Sequence, residues 1–217
     1  MLVSDPYRQM THIRVSPDKK WFTFTRYNNR GKNNCAEETP ENYPKDQNYL
    51  ETEIMIGNLE TLEVKSLIPP KKNQMAVNSY WNSEGDKMLF VYVPQGAKKP
   101  QIEILSFDEN KDITRSDTLK LPDYLLPVDP QQVNDLIVFP AVNLNDSTRG
   151  VWAINSDGSG LRQIAFPKDL KTGQLIKLDR GGDNDPKISP DLKTVVFMRL
   201  VNGRHNWHVY TVDIESG

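Results

Sequence analysis

Residues 188–197 read I-S-P-D-L-K-T-V-V-F, an apolar residue before a short polar turn that leads into an apolar stretch closing on phenylalanine. The same outline occurs without gaps at residues 15–24, V-S-P-D-K-K-W-F-T-F, and at residues 81–90, W-N-S-E-G-D-K-M-L-F. Pro17 and Pro190 preset φ for a turn, and an acidic residue follows each of them. The repeat therefore predicts a strand, a tight turn and a second strand in each copy.

A fourth copy at residues 128–139 keeps this outline with a longer turn. Each copy is followed by an apolar or alternating stretch that is typical of a half-buried strand. These third strands are predicted at residues 54–59, 102–108, 151–158 and 208–214. Fourth strands are predicted in three copies, at residues 63–68, 114–120 and 161–166, whereas the last copy stops after its third strand.

The repeated unit therefore has four antiparallel strands, which we label a to d, and radial packing of such units gives a propeller. The predicted fold is all-β, a β-propeller of four-stranded antiparallel blades with about four blades present, the last incomplete. The blades of this single domain are predicted at residues 5–70, 75–120, 122–167 and 178–217. Four phenylalanines are expected to be buried at equivalent places on strand b: Phe24, Phe90, Phe139 and Phe197.

The two S-P-D windows resemble the repeat of TolB-like β-propellers, which has Ser-Pro-Asp-Gly before a strand. N-S-D-G-S-G-L-R-Q-I at residues 155–164 resembles that family's link between strands c and d, and D-N-D-P-K-I-S-P-D at residues 183–191 resembles the segment that leads into its strand a. Lys19 and Leu192 replace the family's glycine, which only Gly85 retains, so we expect the turns at these two residues to avoid positive φ. Since the family's propellers usually have six or more blades, the resemblance implies part of a longer protein.

Composition limits the classes of partner. The 217 residues carry a formal net charge of -2, so no global field attracts nucleic acid or anionic lipid. There is no apolar run of about 18 residues, so no membrane insertion is predicted. The first residues lack the basic and apolar regions of a signal peptide. Cys35 is the only cysteine, which excludes an intramolecular disulfide.

The sequence contains none of the common catalytic or cofactor-binding motifs, such as G-x-S-x-G, H-E-x-x-H or a Walker loop. We therefore predict no catalytic residue, no cofactor and no metal. His205 and His208 are three residues apart, and on a strand such residues point to opposite faces. Asp179, Asp183 and Asp185 offer oxygen ligands for Ca²⁺, but their spacing is not that of an EF-hand.

The loops of the predicted blades fall into two groups. Because antiparallel strands alternate in direction, the a–b and c–d turns lie at one end of the blades, and these are short. The longer loops lie at the other end, at residues 27–50, 94–99, 143–149, 167–184 and 202–206. Long loops on a rigid scaffold often carry binding groups, so this second end is the predicted partner-binding surface. Its candidate partner-binding residues are Arg30, Tyr43, Arg180, Asp183, Arg204 and His205.

The resemblance to TolB-like propellers implies a non-enzymatic scaffold that binds a protein or peptide partner. It also implies a periplasmic or otherwise extracytoplasmic location in the bacterial cell envelope. The alternative is the propeller portion of an enzyme. This would be either the substrate-filtering domain of a prolyl-oligopeptidase-like hydrolase or an oligogalacturonate-lyase-like propeller that uses metal-binding histidines. Sequence downstream of Gly217 would distinguish them, by containing further blades alone or a hydrolase with a G-x-S-x-G motif.

Overall fold

The structure, a computed structural model, describes residues 10–27, 51–97, 99–201 and 206–217. Within these ranges the regular secondary structure is β-strand alone, and the strands form four antiparallel sheets. Each sheet is built from consecutive strands of the chain. The four sheets are arranged in a ring like the blades of a four-bladed propeller, which confirms the predicted fold class.

The strands of the blades have the following bounds. The first blade contains β1 (Met10–Val15), β2 (Trp21–Tyr27), β3 (Thr52–Asn58) and β4 (Val64–Ile68). The second contains β5 (Met75–Trp81), β6 (Lys87–Val93), β7 (Gln101–Phe107) and β8 (Ile113–Leu119). The third contains β9 (Leu125–Pro127), β10 (Gln131–Val133), β11 (Leu136–Asn143), β12 (Thr148–Asn155) and β13 (Arg162–Ala165). The fourth contains β14 (Gly182–Ile188), β15 (Thr194–Leu200) and β16 (Trp207–Asp213).

Two blades depart from a regular four-stranded sheet. In the third blade, strand a is divided, because β9 and β10 both pair with β11. The fourth blade has three strands, in the order β14-β15-β16, which agrees with its predicted lack of strand d.

A side-chain hydrogen-bond pattern explains the repeated turn between strands a and b. In the first blade, Ser16 Oγ donates a 2.5 Å hydrogen bond to Asp18 and accepts a 3.0 Å bond from the backbone N–H of Trp21. Ser189 and Asp191 repeat this arrangement in the fourth blade, where the hydroxyl-to-carboxylate bond measures 2.6 Å. The serine and aspartate side chains of the S-P-D motif thus stabilise the turn by hydrogen bonds, as Ser and Asp side chains commonly do in turns.

The expectation that Lys19 and Leu192 avoid positive φ was wrong. Their φ values are 60° and 59°, close to the 74° of Gly85 at the same position of the second blade. The reason is the hairpin geometry, because a type I turn in such a loop is followed by a residue in the left-handed region. The Lys19 N–H closes this turn with a 2.9 Å bond to the carbonyl of Ser16.

Among the described residues, three apolar core clusters join neighbouring blades, and a fourth, which contains Phe24, lies within the first blade. Phe24, Phe90, Phe139 and Phe197 are at most 3% exposed, which confirms their predicted burial. Phe90 packs with Ile54 of the preceding blade. Phe139 and Phe197 pack in the same way on the second and third blades.

One backbone hydrogen bond ties the a–b turn to the end of strand c in every blade. The N–H groups of Leu59, Phe107, Ser156 and Ile214 donate to the carbonyls of Lys20, Asp86, Asp135 and Lys193 at 2.7–2.9 Å. The short turns therefore share one end of the blades. The antiparallel pairing directs the chain away from that end after strands b and d of the described blades.

Strand a lies at the edge of its sheet in every blade, and these edges converge. Strand β5 contacts β1 on one side and β10 on the other, and β10 contacts β14. Side chains from all four blades can therefore meet where the first strands come together.

Candidate functional site

An irregularity interrupts strand a of each blade at the same place. His12, Asn78 and Asp185 lie at β-bulges of β1, β5 and β14, and their φ values are 54°, 58° and 47°. Asp129, between β9 and β10, has a φ of 42°. His, Asn and Asp tolerate this left-handed conformation better than most residues, and bulges change the direction of side chains. The three bulges and the break between β9 and β10 thus place four polar residues at equivalent positions of the inner strands.

Two residues after each of these positions, strand a of every blade has a second equivalent position, which is defined by its pairing with strand b. Each member pairs with the residue before the buried phenylalanine of its own blade: Arg14 with Thr23, Tyr80 with Leu89, Gln131 with Val138 and Lys187 with Val196. The repeat therefore holds the backbone at this position constant while the side chain differs from blade to blade.

Three blades meet on the ring of Tyr80. Arg14 Nη2 donates a 2.8 Å hydrogen bond to Tyr80 Oη, and the guanidinium carbon lies 4.5 Å from the ring centroid. Lys187 Nζ lies 4.6 Å from the same centroid. A cation over an aromatic face is attracted by the ring quadrupole. Burial, and next the positive charge of Arg14, lower the pKa of Lys187.

Asp129 faces these cations without a direct contact. Its Oδ1 is buried and has no hydrogen-bond partner among the residues that the structure describes. Burial, followed by the negative charge of Asp185, raises the pKa of Asp129 to about 6, against the effect of Lys187, Arg14 and Arg149. This carboxyl group therefore changes its charge near neutral pH.

Arg149 joins the group from the third blade, where it lies on β12. A Cβ added to Gly182 would come within 2.8 Å of the Arg149 Cβ, so the glycine, at a φ of 138°, permits close approach of β14. Arg149 Nε and Asn184 Nδ2 are buried and have no hydrogen-bond partner within the described ranges. Buried polar atoms are normally hydrogen-bonded, so these two donors are unusual.

We call seven of these residues the inner-strand cluster: His12, Arg14, Tyr80, Asp129, Arg149, Asp185 and Lys187. All except Tyr80 are half-buried. Burial, and next Arg14, lower the pKa of His12, which favours its neutral form. The cluster thus combines three cations with two carboxylates.

Of the predicted partner-binding residues, Asp183 is fully buried. It accepts bonds of 2.6 and 3.0 Å from Arg199, which also donates to the carbonyls of Phe166 and Lys168. Through these bonds, Arg199 connects the long link before β14 to the sheet of the fourth blade. The geometry therefore gives Asp183 an internal role, and its part in partner binding stays a prediction.

The other predicted residues are not brought together by the described structure. Arg180 is exposed on the link before β14. Arg30, Tyr43, Arg204 and His205 lie outside the described residues. The expected binding surface at the second end stays a prediction.

The described part of the chain contains no group of three or more His, Cys, Asp or Glu side chains placed to hold a metal ion. His208 is exposed, and its Nε2 lies 2.9 Å from Asn206 Oδ1. No described helix is long and apolar enough to cross a membrane.

Sequence reasoning missed the inner-strand cluster, although a signal exists. Residues 10–18 read M-T-H-I-R-V-S-P-D, and residues 183–191 read D-N-D-P-K-I-S-P-D. Both segments place a cation two residues before the serine of the turn and a bulge-tolerant residue two positions earlier. This pattern indicates that Arg14 and Lys187 occupy equivalent positions, but the convergence of separate blades that brings them together is visible only in the structure.

The sequence matches no protein-family profile and no curated protein. Solved structures do match. TolB from Acinetobacter baumannii has a TM-score of 0.66 and 11% identity, over 100% of this chain and 43% of that chain. An oligogalacturonate lyase in complex with manganese has a TM-score of 0.56 and 15% identity, over 99% of this chain and 53% of that chain. Prolyl oligopeptidase B from Galerina marginata, bound to a 35mer substrate, has a TM-score of 0.57 and 11% identity, over 94% of this chain and 26% of that chain.

These matches agree on the fold. At such identities they show the fold alone, which is that of TolB-like β-propellers, as the sequence predicted. The chain spans less than half the length of TolB and about half or a quarter of the other two.

Proposed function

We propose that this chain is a non-enzymatic binding module of a propeller protein and that it holds a protein or peptide segment at the inner-strand cluster. The observation that carries the proposal is the convergence of polar side chains from four blades, where buried atoms of Asp129 and Arg149 have no hydrogen-bond partner among the described residues. Groups held by a rigid scaffold lose little conformational freedom when a ligand binds, which favours affinity.

The chemistry of the unpartnered atoms favours a peptide. Asp129 Oδ1 is an acceptor, whereas Arg149 Nε and the neighbouring Asn184 Nδ2 are donors. A peptide backbone offers N–H and C=O groups side by side, so one extended segment can satisfy both kinds of atom. A purely apolar ligand would leave them all unpaired, at a cost of about 1–3 kcal/mol each.

The comparisons lend the proposal general support. Prolyl oligopeptidase B from Galerina marginata was solved with a 35mer substrate bound, so one protein that shares this fold accommodates a long peptide. An extracytoplasmic location belongs to the same proposal, through the resemblance to TolB. In this view the predicted surface at the second end, including Arg180 on the link that leads into β14, contacts the partner outside the cluster.

The test is binding of the 217-residue chain to an array of mixed-sequence dodecapeptides, with the strongest hits measured in solution by fluorescence polarisation. Lys187→Gln should weaken binding about tenfold, since a hydrogen bond to a charged group contributes roughly 1.5–3 kcal/mol. Lys193→Gln, a matched change in an exposed turn at the opposite end, should leave affinity unchanged. Thermal melting of each variant checks that it is folded.

Two results would contradict the proposal. One is the absence of any peptide with micromolar affinity. The other is loss of binding in Lys193→Gln together with full binding by Lys187→Gln. Mass spectrometry of the bound peptides addresses the enzymatic alternative, because we expect them to be recovered intact and cleavage would favour a hydrolase or lyase.

A further inference from the structure

The cations of the inner-strand cluster retain unused hydrogen-bond donors. Lys187 Nζ donates to the carbonyl of Pro186 at 3.2 Å, which uses one of the three ammonium protons. Arg14 donates to Tyr80 Oη and to the carbonyl of Ile13. The guanidinium group has five N–H donors, so three remain. Among the described residues, Arg149 Nε has no hydrogen-bond partner.

The two carboxylates do not neutralise these cations by direct contact. The ion pairs of the described residues include none that joins Asp129 or Asp185 to Arg14, Arg149 or Lys187. Three positive and two negative charges leave one net positive charge, although the whole chain carries -2. The cluster is therefore a local cationic site with free donors in a chain of opposite net charge.

We infer that the segment held at the inner-strand cluster is acidic and that a carboxylate of this partner is received by Arg14, Arg149 and Lys187. This inference rests on the proposed function and adds the chemical class of its ligand. A carboxylate oxygen accepts several hydrogen bonds, and charge-assisted bonds of this kind are roughly twice as strong as neutral ones. Partial burial reduces screening by salt in comparison with an exposed site.

Asp129 regulates the strength of this site. The Asp129 carboxylate interacts electrostatically, without direct contact, with four charged side chains of the cluster: Asp185, Lys187, Arg14 and Arg149. Burial, and next the charge of Asp129, raise the pKa of Tyr80. Since the pKa of Asp129 is about 6, its negative charge is lost below that pH and the cluster becomes more positive. An acidic ligand with glutamate side chains stays charged there, because their pKa is about 4.3. Affinity should therefore rise as the pH falls from 7.5 to 5.5.

The experiment compares three fluorescein-labelled octapeptides, oligo-glutamate, oligo-lysine and a Gly-Ser repeat, by fluorescence polarisation with the 217-residue chain. Oligo-glutamate should bind at least tenfold more tightly than the other two. Lys187→Gln and Arg149→Gln should each weaken it about tenfold, and the matched Lys193→Gln should change it less than twofold. Asp129→Asn should bind more tightly than the unmodified chain at pH 7.5 and should lose most of the pH dependence, the remainder coming from protonation of His12 at low pH.

Each contrary result has a definite meaning. If the array yields mixed-sequence peptides that bind through Lys187 but oligo-glutamate binds no better than Gly-Ser, the acidic class is wrong and the proposed function stands. If no peptide of any kind binds, both fail. Equal weakening by Lys193→Gln would indicate non-specific attraction and overturn the inference. A pH dependence of the same size in Asp129→Asn and in the unmodified chain would exclude Asp129 as the controlling group.

Discussion

At the scale of single residues, the a–b turns place a lysine and a leucine on left-handed backbone. Lys19 is exposed and Leu192 is half-buried. Neither side chain is therefore buried enough to offset fully the strain of the left-handed backbone. The left-handed conformation costs an L-residue roughly 1–2 kcal/mol. The serine and aspartate of the turn compensate, because their side chains accept hydrogen bonds from backbone N–H groups that the tight reversal would otherwise leave without a partner, those of Trp21 and Lys20 in the first blade.

Glycine at position 19 should therefore stabilise the protein. We expect Lys19→Gly to raise the free energy of unfolding by about 0.5–1 kcal/mol, the relief of strain being partly offset by a more flexible unfolded chain. Gly85→Ala should lower it by about 1 kcal/mol, because the new Cβ would be strained at φ 74° and would lie 3.2 Å from Pro17 Cδ. Urea unfolding measures both changes. Lys20→Gly is the control, and a stabilisation there equal to that of Lys19→Gly would contradict this account.

At the scale of elements, strand b carries the packing between blades. In the second, third and fourth blades its phenylalanine packs against the preceding blade, so each of these sheets contributes one aromatic ring to its neighbour's apolar face. Phe139 packs among Leu89, Ile102 and Ile137, and it is 0% exposed. Interfaces of this type make the stability of one blade depend on the next.

Removal of such a ring should destabilise two blades together. Phe139→Ala is expected to lower the free energy of unfolding by about 3–5 kcal/mol through lost burial and a cavity. Phe166→Ala removes a ring that is 52% exposed and should cost well under half as much. Chemical denaturation followed by tryptophan fluorescence compares them. Equal costs for the two variants would mean that the ring on strand b does not carry the interface.

At the scale of the whole molecule, the blades pack through apolar clusters, but the innermost strands meet on charged side chains. This arrangement weakens the assembly, because Asp129 Oδ1 is buried away from water and has no hydrogen-bonded partner among the described residues. Functional sites commonly retain groups that are unfavourable for stability, and the inner-strand cluster has this character.

The cost of the Asp129 charge should appear in the pH dependence of global stability. The folded state keeps the proton up to a pKa of about 6, whereas the unfolded state releases it near 3.8. Between these values the unfolded state binds fewer protons, so the free energy of unfolding falls as the pH rises. Asp129→Asn should remove this decline and gain stability relative to the unmodified chain from pH 4 to pH 7.

Asp157→Asn provides a control of opposite sign. Hydrogen bonds from Ser159 lower the pKa of Asp157, so its ionised form stabilises the fold above its ordinary pKa, and the variant should lose stability at pH 7. Urea titrations at pH 4, 5, 6 and 7 give the profiles. Parallel profiles for the unmodified chain and Asp129→Asn would contradict the assignment.

The fold could be predicted from local signals in the sequence, whereas the inner-strand cluster could not. Ser16 and Asp18 direct their own turn, and Phe24 marks the strand that follows, so the repeat is visible within ten residues. The meeting of Arg14 and Lys187 on Tyr80 depends on bulges and on the convergence of separate blades, which no local pattern reports. Asp183 lies in a segment that reads as a surface link, and its burial depends on Arg199 in the following strand.

The hydrogen bond that ties the a–b turn to the end of strand c in every blade has a consequence for the order of folding. It joins two residues of the same blade, 21 positions apart in three blades and 39 in the first, and most of the remaining pairings within a blade join consecutive strands. Local contacts shorten the conformational search, and hairpins form within about 1–10 μs. A chain emerging from the ribosome at about 5–20 residues per second can thus fold its first blade before the third is synthesised. Docking of finished blades, rather than formation of their strands, would then limit the rate of folding.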